Sequence, residues 1–225
     1  MILSGQFESL RNRVRQYGTI VSGMQFLRAL VRRAYAYQSN IVFALTDFSG
    51  HAFRDSCIKP LTGDRIARAD ESGELSADEV ELLSGFVAEG SQGVCAEGDG
   101  TLMGYAWVQH GGEYRFGRAG RMTIPDGYCV AKNLLVFPAF RGRGLARKLN
   151  EARLALISGH TIPVVFIIPE NRYAIRNWEQ LGFERVAEVK EWRWFSGPWR
   201  MKVLRPVGLS HVEPVTRALE GARHA

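Results

Sequence analysis

The run Asn133-Leu-Leu-Val-Phe-Pro-Ala-Phe-Arg-Gly-Arg-Gly-Leu-Ala-Arg-Lys-Leu149 decides how the chain is read. An apolar strand stops at Pro138, which has no N–H to give to a sheet ladder. A basic, glycine-rich turn follows, and a helix begins at once. Leu145, Leu149, Ala152 and Leu156 recur along one side of that helix, with Arg147, Lys148, Glu151 and Arg153 expected away from it. Gly159 is placed to cap its C-terminus. A helix N-terminus leaves its first backbone N–H groups unpaired and carries about half a positive charge. Glycines at 142 and 144 keep side chains away from those groups, while Arg141 and Arg143 add charge. The turn is therefore suited to a pyrophosphate.

Two other kinds of pyrophosphate site have different sequence requirements. A P-loop needs GxxxxGK[ST], which does not occur. A dinucleotide turn needs a third glycine where Arg147 stands, although Glu170, after the next strand, could act as the ribose-binding acid. The dinucleotide reading stays open on that residue, as does a basic turn with no ligand.

Working outward, residues 128–137 read as a long strand, 144–158 as a helix, 164–168 as a strand and 172–181 as a helix. A final aromatic hairpin places Trp192 and Trp194 on one face. Upstream, Ser76 followed by Glu79 is a capping box opening a helix through about residue 88. Residues 93–97 and 102–109 form a hairpin around Gly98-Asp99-Gly100. Residues 57–61 look extended, 40–45 look like a short strand, and 111–127, rich in glycine and arginine, give no assignment. Val21, Met24, Leu27, Val31 and Ala34 recur at helical spacing among arginines, predicting a basic amphipathic helix over 20–36. From 206 onward the chain is expected to be loosely packed or a short helix.

Residues 134–146 resemble the L-x-V-x-P-x-x-R-G-x-G-x-[GA] segment of the GNAT acetyltransferase superfamily. Asn171-Arg-Tyr-Ala-Ile-Arg-Asn-Trp-Glu-Gln-Leu-Gly-Phe183 is similar to that family's N-x-x-A-x-x-x-Y-x-x-x-G-F. One helix and one strand separate the two segments, which also fits. The resemblance covers roughly 56–205 and is strongest over 128–184. It implies an α/β (α+β) GNAT acyl-CoA acyltransferase fold, a mixed, mostly antiparallel twisted sheet flanked by helices, here with an N-terminal helical extension. The implied division is a basic extension at 1–55, the acyltransferase domain at 56–205 and a tail at 206–225.

The resemblance further implies an N-acetyltransferase taking acetyl-CoA or another acyl-CoA as co-substrate, with no metal, and acting on a primary amine of a small molecule, sugar or peptide. Val136, with Leu134, would run beside the pantetheine arm. Arg141, Gly142, Arg143, Gly144, Leu145 and Ala146 would take the phosphates. Asn171 would lie near the arm or the acceptor, unless it is simply an N-cap. Arg143 and Arg147 would touch the 3′-phosphate or be solvated. Two positions depart from the family. Trp178 stands where many members carry a tyrosine that protonates the leaving thiolate, and an indole is no useful proton donor. Lys132 stands where some members place a basic glutamate. Tyr173, Lys132 and Glu179 are the catalytic candidates, with Glu97, His110 and Glu113 as further conceivable bases. Cys129 has no activating partner and is read as a core residue. The alternatives are a CoA-binding sensor or interaction module without turnover, or a longer-chain acyltransferase at the membrane surface.

Composition narrows the class. The 225 residues suit one medium domain with appendages, and 46% hydrophobic with 23% charged residues is ordinary for a globular chain. A net charge of +6 leans toward anionic partners. Three widely spaced cysteines and five scattered histidines support neither a disulfide framework nor a metal site. The expected location is cytoplasmic, since neither a secretory leader nor a spanning segment is evident. The arginine-flanked helix at 20–36 could rest on an anionic membrane surface, line the acceptor site, contact a partner or pack on the domain. The Trp192–Trp199 stretch could wall an acceptor site, form a homodimer contact or be the last hairpin of the core. No basic patch interleaved with aromatics points to nucleic acid.

Overall fold

The computed structural model of the protein describes residues 35–118, 120–204, 213–221 and 223–224. Local rules carry most of its helices. Thr62 caps Gly63–Glu71 (α1) through its hydroxyl. Ser76 N donates to Glu79 Oε2 at 2.9 Å and Glu79 N to Ser76 Oγ at 3.3 Å, closing the expected capping box ahead of Ala77–Ala88 (α2). Leu145–Leu154 (α3), Arg172–Gln180 (α4) and Glu213–Glu220 (α5) follow. Helix α1 was not expected from sequence, because Arg65, Ile66 and Ala69 are its only buried residues and leave a thin apolar pattern. Helix α3 ends at Leu154, five residues before Gly159. That glycine is required by packing instead, since a Cβ there would lie 2.9 Å from Ser49 O.

The strands are Tyr35–Ala44 (β1), Ile58–Pro60 (β2), Gln92–Gly98 (β3), Thr101–Gln109 (β4), Glu113–Phe116 (β5), Gly120–Thr123 (β6), Tyr128–Val136 (β7), Ile162–Ile167 (β8), Glu184–Trp194 (β9), Arg200–Leu204 (β10) and Arg223–His224 (β11). Eight of them form one sheet in the order β10-β9-β1-β8-β7-β4-β3-β2, antiparallel except at β7–β8. A second sheet has the order β11-β6-β5, and its strands β5 and β6 fill the run that gave no sequence assignment. Helices α3 and α4 cover one face of the large sheet, where Leu149, Leu154 and Trp178 meet strand residues such as Ala106 and Ala131. The other face carries α1 and α2 at one end and the small sheet with α5 at the other.

The short strand expected at 40–45 is a ten-residue strand inside the sheet. β1 pairs β8 on one side (Ile41↔Ile167) and β9 on the other (Ile41↔Glu188). The sheet therefore runs across the boundary expected between residues 55 and 56. Of the helix expected over 20–36, only residues 35 and 36 are described, and they belong to β1; the rest lies outside the described residues. In the expected tail, α5 buries Val215 and Leu219 completely beside Phe116 and Met122.

One buried carboxylate fastens the small sheet. Glu191 of β9 accepts from Arg118 N at 2.9 Å in the β5–β6 turn and from Gly120 N at 3.0 Å at the start of β6. Gly117, at φ +62°, leaves room for that carboxylate, which a Cβ would overlap.

Candidate active site

Strands β7 and β8 stay paired only as far as Ala131↔Val165. Beyond that point β7 remains with β4 (Lys132↔Trp107, Val136↔Gly104) and β8 with β1. Both continue as strands, but apart. Between Tyr105 and Trp107 the register slips by one residue on β7, and Asn133 takes φ +44° there. Such a bulge bends its strand and re-aims side chains. The parted strands open a cavity of about 540 Å³ with walls from α3 (Gly144, Arg147, Asn150, Arg153) and α4. Asn150 Nδ2 donates to Asn177 Oδ1 at 2.8 Å, bridging the two helices.

The basic turn closes one end of this cleft. Pro138–Phe140 makes a 3₁₀ turn, and Arg141 Nε reaches back to Val136 O at 3.1 Å, bracing the loop against its strand. Gly142 and Gly144 adopt φ +77° and +75°, and Gly144 is the N-cap of α3 without contributing a side chain. A Cβ at either glycine would meet nothing within 4 Å. The space over the first turn of α3 is open, and among the described residues no backbone acceptor takes the amides of 142–146. Arg143 lies 5.5 Å from the Phe140 ring centroid, and Arg147 Nε pairs with Glu151 at 2.8 Å.

The expected cofactor residues divide by location. Leu134, Gly144, Ala146 and Asn171 line the cleft. Val136 and Leu145 pack with Leu149 in the core beneath it. Gly142 and Arg143 are exposed on the loop. Asn171 also caps α4, its Oδ1 accepting from Ala174 N at 3.1 Å, so both expected roles are compatible. The catalytic candidates are scattered. Tyr173 is 90% exposed at the mouth. Glu179 is exposed on α4 and lines neither this cleft nor the one opposite. Lys132 is buried, with Nζ 3.0 Å from Glu89 Oε2, 2.9 Å from Gln109 Oε1 and 3.9 Å from the Phe86 ring centroid. Burial draws its pKa down while Glu89 pulls it up. Of the other conceivable bases, Glu97 is paired to Lys59 and Arg65, and His110 sits against Gln92 with its pKa lowered by burial. Cys129 is fully buried in the core, and burial pushes its thiol up to about 12.

On the opposite face a second cavity, of about 780 Å³, lies between α2, β5 and β7, with Phe86, Glu89, Gln109, Glu113 and Arg115 on its walls. The two cavities share Tyr114, Lys132 and Asn133, at the point where the strands part. Two of the residues near this point were missed from the sequence as site residues. The Tyr114 ring packs on Phe166 at 5.2 Å, and burial pushes its phenol up to about 12 against the opposing charge of Arg153. Arg153, expected on the solvent side of α3, is 2% exposed. Its Nη1 donates to Lys132 O at 3.1 Å and Trp107 O at 3.4 Å, and its guanidinium lies 4.6 Å from the Trp178 ring centroid. Trp178, in the position where the family tyrosine was expected, is itself buried against Phe183. A signal for Arg153 was present: Arg147, Asn150 and Arg153 repeat every three residues, a polar stripe beside the leucine stripe.

Among the described residues no His, Cys, Asp and Glu cluster could hold a metal, and no helix is long and apolar enough to cross a membrane. No curated protein matches the chain in sequence. In solved structures, a GNAT-family acetyltransferase from Novosphingobium aromaticivorans is 19% identical, over 69% of this chain and 63% of that one, with a TM-score of 0.49. A tandem GNAT protein from the clavulanic acid biosynthesis pathway is 17% identical over 83% and 60%, with a TM-score of 0.47. An aminoglycoside N-acetyltransferase in complex with CoA is 22% identical over 57% and 91%, with a TM-score of 0.41. The chain thus spans about three-fifths of the length of the first two. The sequence model of the acetyltransferase (GNAT) family matches residues 63–183, more than half of the chain, including β7, α3, β8 and α4 around the parted-strand cleft. The chain belongs to the GNAT family of acetyltransferases.

Proposed function

We propose that this chain transfers an acyl group, most simply acetyl, from acyl-CoA to a primary amine of a small molecule, sugar or peptide. The observation that carries this reading is the gap between β7 and β8. A donor lying between α3 and α4 and an acceptor lying against α2 and β5 would meet through it, at Tyr114, Lys132 and Asn133. Holding two reactants in line in this way is itself a large part of catalysis.

The open amides at 142–146, the α3 N-terminus and the neighbouring arginines suit the phosphates of CoA. Leu134, Ala146 and Asn171 would line its arm. The bound thioester would supply an activated acyl carbon that bonds to the amine nitrogen as the carbon–sulfur bond breaks, the amine losing one proton and the sulfur gaining one. Tyr114 Oη is the group we assign to deliver that proton. Tyr114 lines both cavities, and its phenol stays protonated at neutral pH. Tyr114 would thus stand in for the tyrosine that Trp178 replaces. Glu89 and Glu113, about half exposed, give the acceptor side carboxylates that attract an ammonium group. Lys132, held by Glu89 and Gln109, orders this wall and is not free to act as a base.

The test is thiol release from acetyl-CoA with a broad amine panel, run beside calorimetry with CoA. Turnover with any amine supports the reading. Tight CoA binding with no turnover across the panel would leave a CoA-binding module in its place.

A further inference from the structure

At its deep end the cleft is walled by Ala131, Val165 and Trp178 with one cation, Arg153, among them, where an acyl chain of acetyl type needs no polar partner. On α3, Gly144, Arg147, Asn150 and Arg153 form a stripe at three-residue spacing along the cavity wall. At 1.5 Å per residue the stripe carries the cleft about 13 Å from the phosphate loop to Arg153. There β7 and β8 resume pairing at Ala131↔Val165, and the gap closes. An extended pantetheine arm is about as long as this stripe, so a CoA thioester held by its phosphates at residues 142–146 would bring its thioester and a short acyl group beside Arg153.

Arg153 is an unusual residue to find there. Its side chain is almost fully buried, yet among the described residues no carboxylate pairs with it. Of its nitrogens Nη1 is hydrogen-bonded, to the carbonyls of Trp107 and Lys132, and Nε has no partner, while the guanidinium lies 4.6 Å from the Trp178 ring centroid. The titratable groups whose charge it senses are Cys129 and Tyr114. Burial drives both of these up to about 12, so both are neutral at pH 7. Burial brings the guanidinium down only to about 9, which leaves it charged. A staple for two bulge carbonyls needs hydrogen-bond donors but no charge, and the Trp178 ring offsets only part of the cost of burying a cation without a carboxylate partner. A cation kept at the end of a cavity, with donors left over, matches an anion that arrives with the ligand.

We propose that Arg153 is the counter-charge for a carboxylate at the far end of the acyl group, so that the preferred donor carries a short dicarboxylic acyl chain. This rests on the acyl-CoA reading above and specifies its donor. It also disfavours a long apolar chain, which would have to end against a buried guanidinium.

Calorimetry with CoA, acetyl-CoA, butyryl-CoA and succinyl-CoA tests it on the intact protein, butyryl-CoA being the uncharged match in length. Succinyl-CoA is expected to bind about ten- to a hundredfold more tightly than butyryl-CoA, the range of one charge-assisted contact. Arg153→Gln should remove that preference while leaving the affinity for CoA within about threefold. Equal affinity of the wild type for succinyl- and butyryl-CoA overturns the proposal, and this comparison decides the point even where the variant is too unstable to assay. A preference that survives in Arg153→Gln overturns the assignment to this residue. Equal donors combined with a lower KM for an α-amino acid than for its decarboxylated amine would place the carboxylate on the acceptor, and overturns the donor proposal. Failure of every CoA species to bind overturns the acyl-CoA reading as well, a result distinct from loss of the preference alone.

Discussion

Replacing Gly144 by alanine separates what the basic turn costs the fold from what it does for an anion. At φ +75° an L-residue pays about 1–2 kcal/mol for the left-handed backbone. No steric charge adds to this, because the new methyl group would meet nothing within 4 Å. For a domain of this size, 1 kcal/mol corresponds to a Tm lower by roughly 2–4 °C, measurable by thermal denaturation. The same methyl group occupies the space in front of the first amides of α3. Displacing a phosphate from one charge-assisted amide contact costs about 1.5–3 kcal/mol, or roughly ten- to a hundredfold in Kd. Calorimetry should therefore show a large loss for acetyl-CoA and almost none for S-acetylpantetheine, which lacks the phosphates. Equal losses for the two ligands, or an unchanged Kd for acetyl-CoA, would refute the placement of the pyrophosphate at this turn.

Other outcomes follow from the same structure. Tyr114→Phe should lower kcat by about a hundredfold or more with KM for acetyl-CoA little changed, read by steady-state kinetics. Because the phenol is pushed up to about 12, it holds its proton throughout the neutral and mildly alkaline range. An alkaline limb in the wild-type rate below about pH 10 that disappears in Tyr114→Phe would argue against the assignment. Of the three thiols, Cys95 and Cys129 are buried with pKa values raised to about 11 and 12, so native protein at pH 8 should react with a thiol reagent only at the half-buried Cys57. All three should react after denaturation. Glu191→Ala leaves the amides of Arg118 and Gly120 without their acceptor and should cost about 2–4 kcal/mol in urea unfolding. A chain beginning at residue 56 should fail to unfold cooperatively, since it lacks the strand between β8 and β9.

What the sequence made legible is what local chemistry dictates. Ser76 with Glu79, the Gly98–Gly100 turn and the Pro138-to-Gly144 loop each specify their own geometry from a few neighbouring residues, and each lies where expected. What stayed hidden depends on partners far along the chain. The apolar run at 40–45 signals a strand, yet nothing within it says that its neighbours are β8 and β9. Tyr114 lies on a four-residue strand in a glycine- and arginine-rich stretch, where no hydrophobic period is long enough to read. Arg153 looks like a surface residue beside Glu151, and its burial is fixed by two carbonyls that a bulge in β7 leaves facing α3. Gly159 follows a helix and resembles a cap, but its lack of a side chain serves the approach of Ser49.

The insertion of β1 between β8 and β9 has a kinetic side. Its ladder contacts join residues well over a hundred positions apart, such as Ile41 with Ile167, so β1 raises the contact order more than any other strand. The chain entropy of closing that loop is spent before the ladder returns anything, which favours late docking of β1 onto the rest of the sheet. Until it docks, the edges of β8 and β9 stand open to any strand of matching pattern. In a concentrated solution the nearest such strand is β1 of another copy, and slow refolding at high protein concentration should produce strand-exchanged dimers.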